Sequence, residues 1–355
     1  MSIILLVTWD GSGTFIPQRA LVRALVERGH QLTVLGHDTQ RDDCNADGAH
    51  FISYQRLPQW NDADPANANR SIREVVEAQA GGIDALEALS MIKPDVVLVD
   101  LFMRHVLTAV HLASVRMIAL GSTTFTSIYD ESLLSVLELA DQILMFSHPI
   151  FEDRLPAFDK YTYVGQLRPH TFYSKCSHNW KTSRKRIVVS LSTSFQDQCR
   201  MLQRICDVLG TLDVEVLVTS GRAISPSILA VSGNIVVDRC ASHDIVLKTC
   251  DLLVTHAGHG TLLAGALYGT PMVCIPMGRD QHTNASRAFY LGIAQVSAPA
   301  ATHAELRQTI VDALEDTYML NRVRNVSVLL NSRAGLDDAI SVVESESRAA
   351  RLLTM

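Results

Sequence analysis

Histidines, glycines and a threonine are concentrated in the stretch HAGHGT, which begins at His256. An apolar run precedes it and a helical pattern starts near Thr261. Gly258 and Gly260 permit close approach of a ligand to the backbone, and a helix N-terminus presents free N–H groups and a positive dipole end. His256 and His259 add imidazole groups, and Thr261 adds a hydroxyl. This combination predicts an anion-binding site.

An acid and an amide follow the next apolar run, PMVCIP, where Asp280 precedes Gln281. A carboxylate beside an amide can hold adjacent sugar hydroxyls through paired hydrogen bonds. The alternative for the whole region is an ordinary glycine-rich turn with helix capping. We favour a ligand site because the glycines, histidines, threonine and acid–amide pair occur together.

Loop residues of this kind require strands that end at one edge of a sheet. Short apolar runs such as IILLVT, PDVVLVD, RIVVSLS and DLLVTH alternate with helical patterns along both halves of the chain. Continuous apolar runs are typical of parallel strands buried on both faces. We therefore predict an α/β fold of two facing Rossmann-like, doubly wound domains with a cleft between them.

The length of 355 residues also favours two domains, because one core usually stops growing near ~250–300 residues. The polar, basic stretch GQLRPHTFYSKCSHNWKTSRKR lacks periodicity and indicates the boundary. We expect an N-terminal domain over residues 1–168, a linker over 169–186, a C-terminal domain over 187–335 and a final helix over 336–355.

Charge and cysteine content exclude several classes of protein. A net charge of -6 argues against a sequence-independent nucleic-acid binder. Seven cysteines without CxxC spacing indicate reduced thiols in a cytoplasmic protein, not a disulfide frame or a zinc site. Neither a secretory signal nor stable membrane insertion is expected, because the apolar runs are short. A monomer and a homodimer both remain open.

The stretch from residue 251 to residue 292 resembles the donor-binding motif of family 1 glycosyltransferases, which use nucleotide sugars and have the GT-B fold. It is most similar to their bacterial antibiotic-tailoring branch, and the resemblance covers most of the chain. It implies a set of residues that bind the donor diphosphate: Thr193, His256, Gly258, His259, Gly260 and Thr261. It also implies that Asp280 and Gln281 hold the sugar hydroxyls.

The stretch DRCASH matches the loop that packs on the nucleobase, through Cys240, Ala241 and His243. It departs from the family pattern at Cys240, where an aromatic residue often stacks, and at Ser242, where proline is usual. The resemblance implies a UDP- or dTDP-linked sugar as co-substrate, no further cofactor and no metal. Asp62 and Asp64 form a DxD tripeptide, but it lies in a polar stretch that we interpret as a solvated loop.

The opening turn of the chain includes Gly11, Ser12, Gly13 and Thr14. It lacks the third glycine of a dinucleotide fingerprint, although Asp38 follows at a suitable distance. In the resembled family this turn faces the acceptor, and a histidine there usually deprotonates the acceptor hydroxyl. Thr14 occupies that position, and a threonine hydroxyl cannot act as the general base.

Two carboxylates are candidates for the missing base. Asp100 ends the run PDVVLVD and matches the acid that partners the family's histidine, and Asp10 lies on the opening turn. The alternative is that each carboxylate caps a loop or helix at a strand end. A weaker base favours a phenolic or otherwise activated acceptor.

The sequence thus predicts an inverting glycosyltransferase of the hexosyltransferase type. It would move a sugar from a UDP- or dTDP-sugar to a small apolar acceptor of aromatic or polyketide type, with no nucleic-acid partner. The final helix would pack back on the N-terminal domain, as in the family. Two alternatives stay open: a non-catalytic helper of a partner glycosyltransferase, and a GT-B-fold nucleotide-sugar epimerase or hydrolase.

Overall fold

The structure is a computed structural model that describes residues 1–64, 72–128, 131–167, 180–192, 194–332 and 335–353. These residues form two compact units. The first unit contains residues 1–62, the described residues between 72 and 167, and residues 335–353. The second contains residues 63–64 and the described residues from 180 to 332. The boundary predicted at residues 168–169 lies outside the described residues, as does most of the predicted linker.

A parallel sheet forms the centre of the first unit. Among the described residues its strands are β1 (Ile3–Val7), β2 (Gln31–Gly36), β3 (His50–Ser53), β4 (Val96–Asp100), β5 (Met117–Gly121), β6 (Gln142–Met145) and β7 (Tyr161–Tyr163). They are arranged in the order β3-β2-β1-β4-β5-β6-β7. Leu5 and Val7 pack on one face and Ile4 and Leu6 on the other, so β1 is buried on both sides, as its unbroken apolar run predicts.

Helices cover both faces of this sheet. In the described part of the first unit, ahead of its C-terminal segment, they are α1 (Ser12–Glu27), α2 (Arg41–Ala46), α3 (Arg73–Val76), α4 (Gln79–Ile92), α5 (Arg104–Leu112) and α6 (Glu131–Leu137). Helix α1 buries Leu21 and Leu25 against the sheet. The proline at position 17 suggests that the helix starts there, but the helix begins at Ser12 and Pro17 lies inside it. Gly13 and Thr14 therefore belong to the first turn of a helix, which corrects their assignment to a loop.

The second unit repeats the architecture. Its described strands are β8 (Lys185–Ser190), β9 (Val214–Thr219), β10 (Ile235–Asp238), β11 (Leu252–Thr255), β12 (Met272–Cys274) and β13 (Ala294–Val296), in the order β10-β9-β8-β11-β12-β13. Its described helices are α7 (Cys199–Leu209), α8 (His243–Val246), α9 (His259–Tyr268), α10 (Gln281–Tyr290), α11 (His303–Glu315) and α12 (Thr317–Leu330). The strands pair in parallel throughout.

Strand β8 begins two residues inside the linker predicted over residues 169–186. Lys185 and Arg186 pair with β9 through their backbones. Because their side chains are charged, the apolar pattern of the strand starts only at Ile187. Hydrophobicity alone therefore places the strand too late.

The last described helix, α13 (Gly335–Leu353), is part of the first unit. Ala339, Ile340 and Val343 are buried in the same core as Leu21 of α1. Near its end, the Arg351 guanidinium donates to the Met1 carbonyl at 2.7 Å. The helix starts one residue before the predicted 336. None of the described helices is both long enough and apolar enough to span a bilayer.

Candidate functional site

The strand order reverses once in each sheet, and some of the predicted site residues follow the strands at these points. In the second unit β8 and β11 are neighbours, with Ser190 paired to Thr255. The loops that follow the two strands therefore leave the sheet side by side. Crevices at the carboxyl ends of such strands are where doubly wound sheets bind ligands.

The turn after β11 places His256 against the glycine of the motif. Ala257 has a φ of 66°, a left-handed conformation that folds the chain back so that α9 starts at His259, two residues earlier than expected. A Cβ on Gly258 would lie 2.6 Å from His256 Nε2, so any larger residue here would have to displace the imidazole. The first regular bonds of α9 run from the Thr261 and Leu262 N–H groups to the Gly258 carbonyl, both at 3.0 Å. The positive end of the helix dipole thus lies beside the imidazole.

His256 is neutral at pH 7. Its side chain is buried, with 7% of the residue exposed. Burial lowers the pKa of His256 to about 4, although the carboxylate of Asp280 favours the charged form. Its Nδ1 is buried without a hydrogen-bond partner in the described part of the chain. A phosphate oxygen only accepts hydrogen bonds, so this unpaired nitrogen can serve a phosphate in the tautomer that carries the proton on Nδ1.

Asp280 is tied to the same turn through α10. The amide nitrogen of Asn284 donates to Asp280 Oδ2 at 2.9 Å and to the Ala257 carbonyl at 3.1 Å. One buried amide therefore fixes the distance between the predicted sugar-binding carboxylate and the predicted phosphate-binding turn. The sequence offers only helical spacing as a signal for Asn284, which lies one turn after Asp280.

Gln281 is more enclosed than a ligand-binding amide needs to be. Only 1% of it is exposed. Its Oε1 accepts from the Met277 N–H at 2.7 Å, and its Nε2 donates to Gln196 Oε1 at 2.8 Å. The second N–H of the amide is thus the part of Gln281 that could reach a sugar hydroxyl.

The other donor-side predictions fall around this turn. Thr261 is half-buried and Gly260 exposed in the first turn of α9, and His259 is buried. Thr193 lies outside the described residues.

In the predicted nucleobase loop, Ala241 is buried and Cys240 half-buried. His243 Nε2 lies 3.2 Å from the Ser190 hydroxyl, which connects this loop to the end of β8.

In the first unit, β1 and β4 are the neighbouring strands at the reversal, with Val7 paired to Val99. Asp100 follows Val99 and is buried, with 1% exposed. Its carboxylate accepts from the Phe102 N–H at 3.1 Å and from Gln18 Nε2 at 2.8 Å. Gln18 in turn accepts from the Thr8 hydroxyl at 2.6 Å.

Burial raises the pKa of Asp100 to about 6. The Phe102 N–H and the Gln18 amide oppose this shift, as do the Trp9 and Thr14 side chains. The structure therefore places Thr14 next to a carboxylate that titrates near pH 6. The position of Gln18, one turn after Thr14, was a sequence signal that it belongs to this site. No local pattern indicated that Trp9 and Thr8 also contribute to it.

The remaining predictions for the opening turn are placed differently. Asp10 is buried and accepts from the Thr39 hydroxyl at 2.7 Å. A Cβ on Gly11 would lie 2.6 Å from the Trp9 ring, so the turn is closely packed. Gly13 has open space around its Cα and is exposed. Ser12 begins the helix that follows.

The DxD tripeptide is not a fully solvated loop, which corrects our expectation. Asp62 is buried and Asp64 half-buried, because the polar stretch folds onto the protein. Within the described ranges, no cluster of three or more His, Cys, Asp or Glu side chains could hold a metal ion.

Comparison with solved structures defines the class of fold. The crystal structure of the kitacinnamycin glycosyltransferase superposes with a TM-score of 0.80 at 20% identity, covering 97% of this chain and 98% of that one. The protein has the GT-B fold of such enzymes, and the predicted α/β class with two Rossmann-like sheets is confirmed.

Sequence comparison identifies the relatives. The family model of the erythromycin biosynthesis protein CIII-like C-terminal domain matches residues 203–332. Oleandomycin glycosyltransferase of Streptomyces antibioticus is 28% identical over 191 residues, which is 53% of this chain but 44% of that enzyme. NDP-glycosyltransferase YjiC of Bacillus licheniformis is 23% identical over 94% of both chains. The chain is thus similar to antibiotic-tailoring glycosyltransferases, as its motifs indicated.

Proposed function

We propose that the protein is an inverting glycosyltransferase that moves a sugar from a UDP- or dTDP-sugar to a small apolar acceptor of aromatic or polyketide type. The observation that carries the proposal is the turn after β11. There a neutral, buried His256 lies against Gly258 at the N-terminus of α9, and Asn284 joins this turn to Asp280.

The second unit would bind and activate the donor. The dipole of α9 and the backbone of its first turn suit a diphosphate. They would stabilise the negative charge that develops on the diphosphate as its bond to the sugar breaks. Asp280 would accept hydrogen bonds from sugar hydroxyls. The glycosyltransferase VinC, a structural neighbour at 14% identity and a TM-score of 0.76, was solved in complex with dTDP, which supports the dTDP alternative here. We expect transfer to persist in the presence of a metal chelator.

The first unit would bind the acceptor and remove its proton. With a pKa of about 6, Asp100 is ionised at pH 7 and is a stronger base than an ordinary aspartate. Because its carboxylate is buried, we propose that the partly exposed Thr14 hydroxyl relays the proton. The Thr14 hydroxyl donates to the Gly11 carbonyl at 2.9 Å, so it would first turn toward Asp100. The acceptor hydroxyl would then donate to Thr14 Oγ1 as the threonine proton passes to the carboxylate. The acceptor oxygen would then attack the anomeric carbon, the bond to the diphosphate would break, and the configuration would invert.

Thermal stabilisation by UDP, dTDP, GDP and NAD tests the donor assignment. A nucleotide present at about 100 times its dissociation constant stabilises by about 2.7 kcal/mol. We expect UDP or dTDP to raise the melting temperature of the wild type and not that of His256→Ala. Stabilisation by NAD alone would overturn the proposal and assign the turn at Gly11 to a dinucleotide.

Thr14 favours one second candidate, a helper protein that has lost its base and activates a partner glycosyltransferase. The two functions differ in turnover. Release of UDP or dTDP from a nucleotide sugar by the purified chain with a phenolic acceptor would support the enzyme. Nucleotide release only after addition of another glycosyltransferase would support the helper.

A further inference from the structure

A row of side-chain hydrogen bonds connects the two halves of the proposed donor site. The Met277 N–H donates to Gln281 Oε1 at 2.7 Å, and Gln281 Nε2 donates to Gln196 Oε1 at 2.8 Å. Gln196 Nε2 then donates to the Ser192 hydroxyl oxygen at 2.9 Å. The row thus runs from the loop before α10, next to Asp280, to the loop after β8.

The direction of every bond in this row is fixed by its first member. A backbone N–H such as that of Met277 can only donate, so Gln281 must turn its oxygen to it and its nitrogen to Gln196. Gln196 must in turn present its oxygen to Gln281 and its nitrogen to Ser192. The amide orientations therefore follow from the network and are not free choices.

Ser192 receives a second fixed donor. The Ser194 N–H donates to the Ser192 hydroxyl oxygen at 3.1 Å. With both lone pairs of this oxygen used, its hydrogen must point away from Gln196 and from Ser194. Ser192 is thereby held as a hydrogen-bond donor.

This donor lies where the phosphates would bind. Ser192 follows β8 by two residues, and the last residue of β8, Ser190, pairs with Thr255, which immediately precedes His256. The hydroxyl and the imidazole thus leave neighbouring strands at the same edge of the sheet.

We propose that Gln196 is a positioning residue that holds the Ser192 hydroxyl as a donor to the diphosphate of the nucleotide sugar. This inference rests on the proposed function. It also couples the two parts of the ligand site, because the same row that orients Ser192 begins at Gln281. A sugar that shifts Gln281 would weaken the phosphate contact.

The loop that carries Gln196 has separate support. The side chain of Gln198 is fully buried. It donates to the Ser192 and Ser194 carbonyls, both at 3.1 Å, and accepts from the Gln196 N–H at 2.8 Å. Changing the Gln196 side chain leaves these bonds in place, so a variant at this position should fold.

The decisive variant is Gln196→Glu, which has nearly the same shape. A carboxylate still accepts from Gln281 but cannot donate to Ser192, so the serine hydroxyl must turn and donate to the carboxylate instead. A ligand phosphate then meets a lone pair and a nearby negative charge. We expect the affinity for UDP or dTDP to fall about tenfold to a hundredfold, the effect of losing a hydrogen bond to a charged group. The affinity for the matching nucleoside should not change.

Gln308→Glu is the matched control, because it adds the same charge at an exposed position of α11 in the same unit. It should leave both affinities unchanged. Calorimetric titration with UDP, dTDP and the two nucleosides measures all of these constants, and a melting curve verifies that each variant is folded.

The outcomes separate this inference from the proposed function. If the wild type binds neither nucleoside diphosphate, the proposed function falls and the inference falls with it. If the wild type binds one of them and Gln196→Glu binds it equally well, or loses the nucleoside to the same extent, the inference alone is overturned. If Gln196→Glu fails to fold, Gln196→Met and Ser192→Ala replace it. Each should weaken diphosphate binding, and Gln196→Met should have no further effect in a Ser192→Ala background; additive losses would overturn the inference.

Discussion

Replacing Asp100 with asparagine should stabilise the first unit while it reduces transfer. Burial raises the pKa of Asp100 from 3.8 to about 6, so the folded state binds this proton more tightly than the unfolded state. The stabilisation from the protonated carboxyl is complete below pH 3.8 and is lost as the pH rises to 6. This difference in pKa corresponds to about 3 kcal/mol. At pH 7 the ionised carboxylate lowers the free energy of unfolding of the first unit by this amount.

Asparagine removes this cost with little loss of hydrogen bonding. Its oxygen can accept from the Phe102 N–H, and its nitrogen can donate to Gln18 once that amide turns over. Gln18 can turn because its partner Thr8 is a hydroxyl, which can accept as well as donate. We expect Asp100→Asn to raise the stability of the first unit at pH 7.5 by about 1–3 kcal/mol, since the exchange of donors and acceptors is imperfect.

The same change should lower kcat by about 10²–10⁴, the usual contribution of a general base. In the wild type, kcat/KM should rise with pH up to about 6 and then remain level, because only the ionised carboxylate accepts a proton. Calorimetric melting at pH 5 and 7.5 and steady-state rates with a UDP- or dTDP-sugar measure the two effects. An Asp100→Asn protein that is less stable at pH 7.5 and fully active would refute the reasoning on both counts.

Three further predictions concern other parts of the molecule. Gly258→Ala should abolish UDP or dTDP binding in calorimetric titration, because the new Cβ would lie 2.6 Å from His256 Nε2. Unchanged binding would show that the protein relieves this steric overlap without moving the imidazole. In the folded protein the pKa of His256 is lowered from 6.5 to about 4. The wild type should therefore lose up to about 3 kcal/mol of stability relative to His256→Asn as the pH falls from 6.5 to 4. Urea unfolding measures this, and an equal dependence of stability on pH in the two proteins would contradict it. Ile340→Ala in α13 should cost about 2–5 kcal/mol because the side chain is buried in the core of the first unit. The exposed Ser345→Ala is its control, and equal melting temperatures for the two variants would exclude a structural role for the helix.

Local sequence patterns predicted the strands and the order of the motifs well. Each apolar run that was interpreted as a strand is one, because parallel strands buried on both faces leave an unbroken signal. Patterns failed where a boundary depends on the backbone alone. Lys185 begins a strand with its side chain exposed, and Ser12 begins a helix that runs through Pro17.

The network around the site could not be predicted, because its partners are distant in the chain. Gln196 and Gln281 are 85 positions apart, and Gln18 and Asp100 are 82 apart. Local patterns marked Gln281 as a residue of the site, but no local pattern marks Gln196 or pairs either glutamine with its partner, and only the neighbouring positions of the strands bring the partners together. Asp62 illustrates the same limit, since a polar stretch was expected to be solvated and its carboxylate is buried.

The return of α13 to the first unit makes the second unit an insertion within the first. During synthesis, residues 180–332 are complete before the segment that fills the core beside Leu21 has been made. The second unit is therefore fully synthesised while the first still lacks a helix. A chimaera that exchanges the second unit between relatives must accordingly be cut at two junctions, near residues 180 and 332, and must leave α13 with the first unit, whose core it fills.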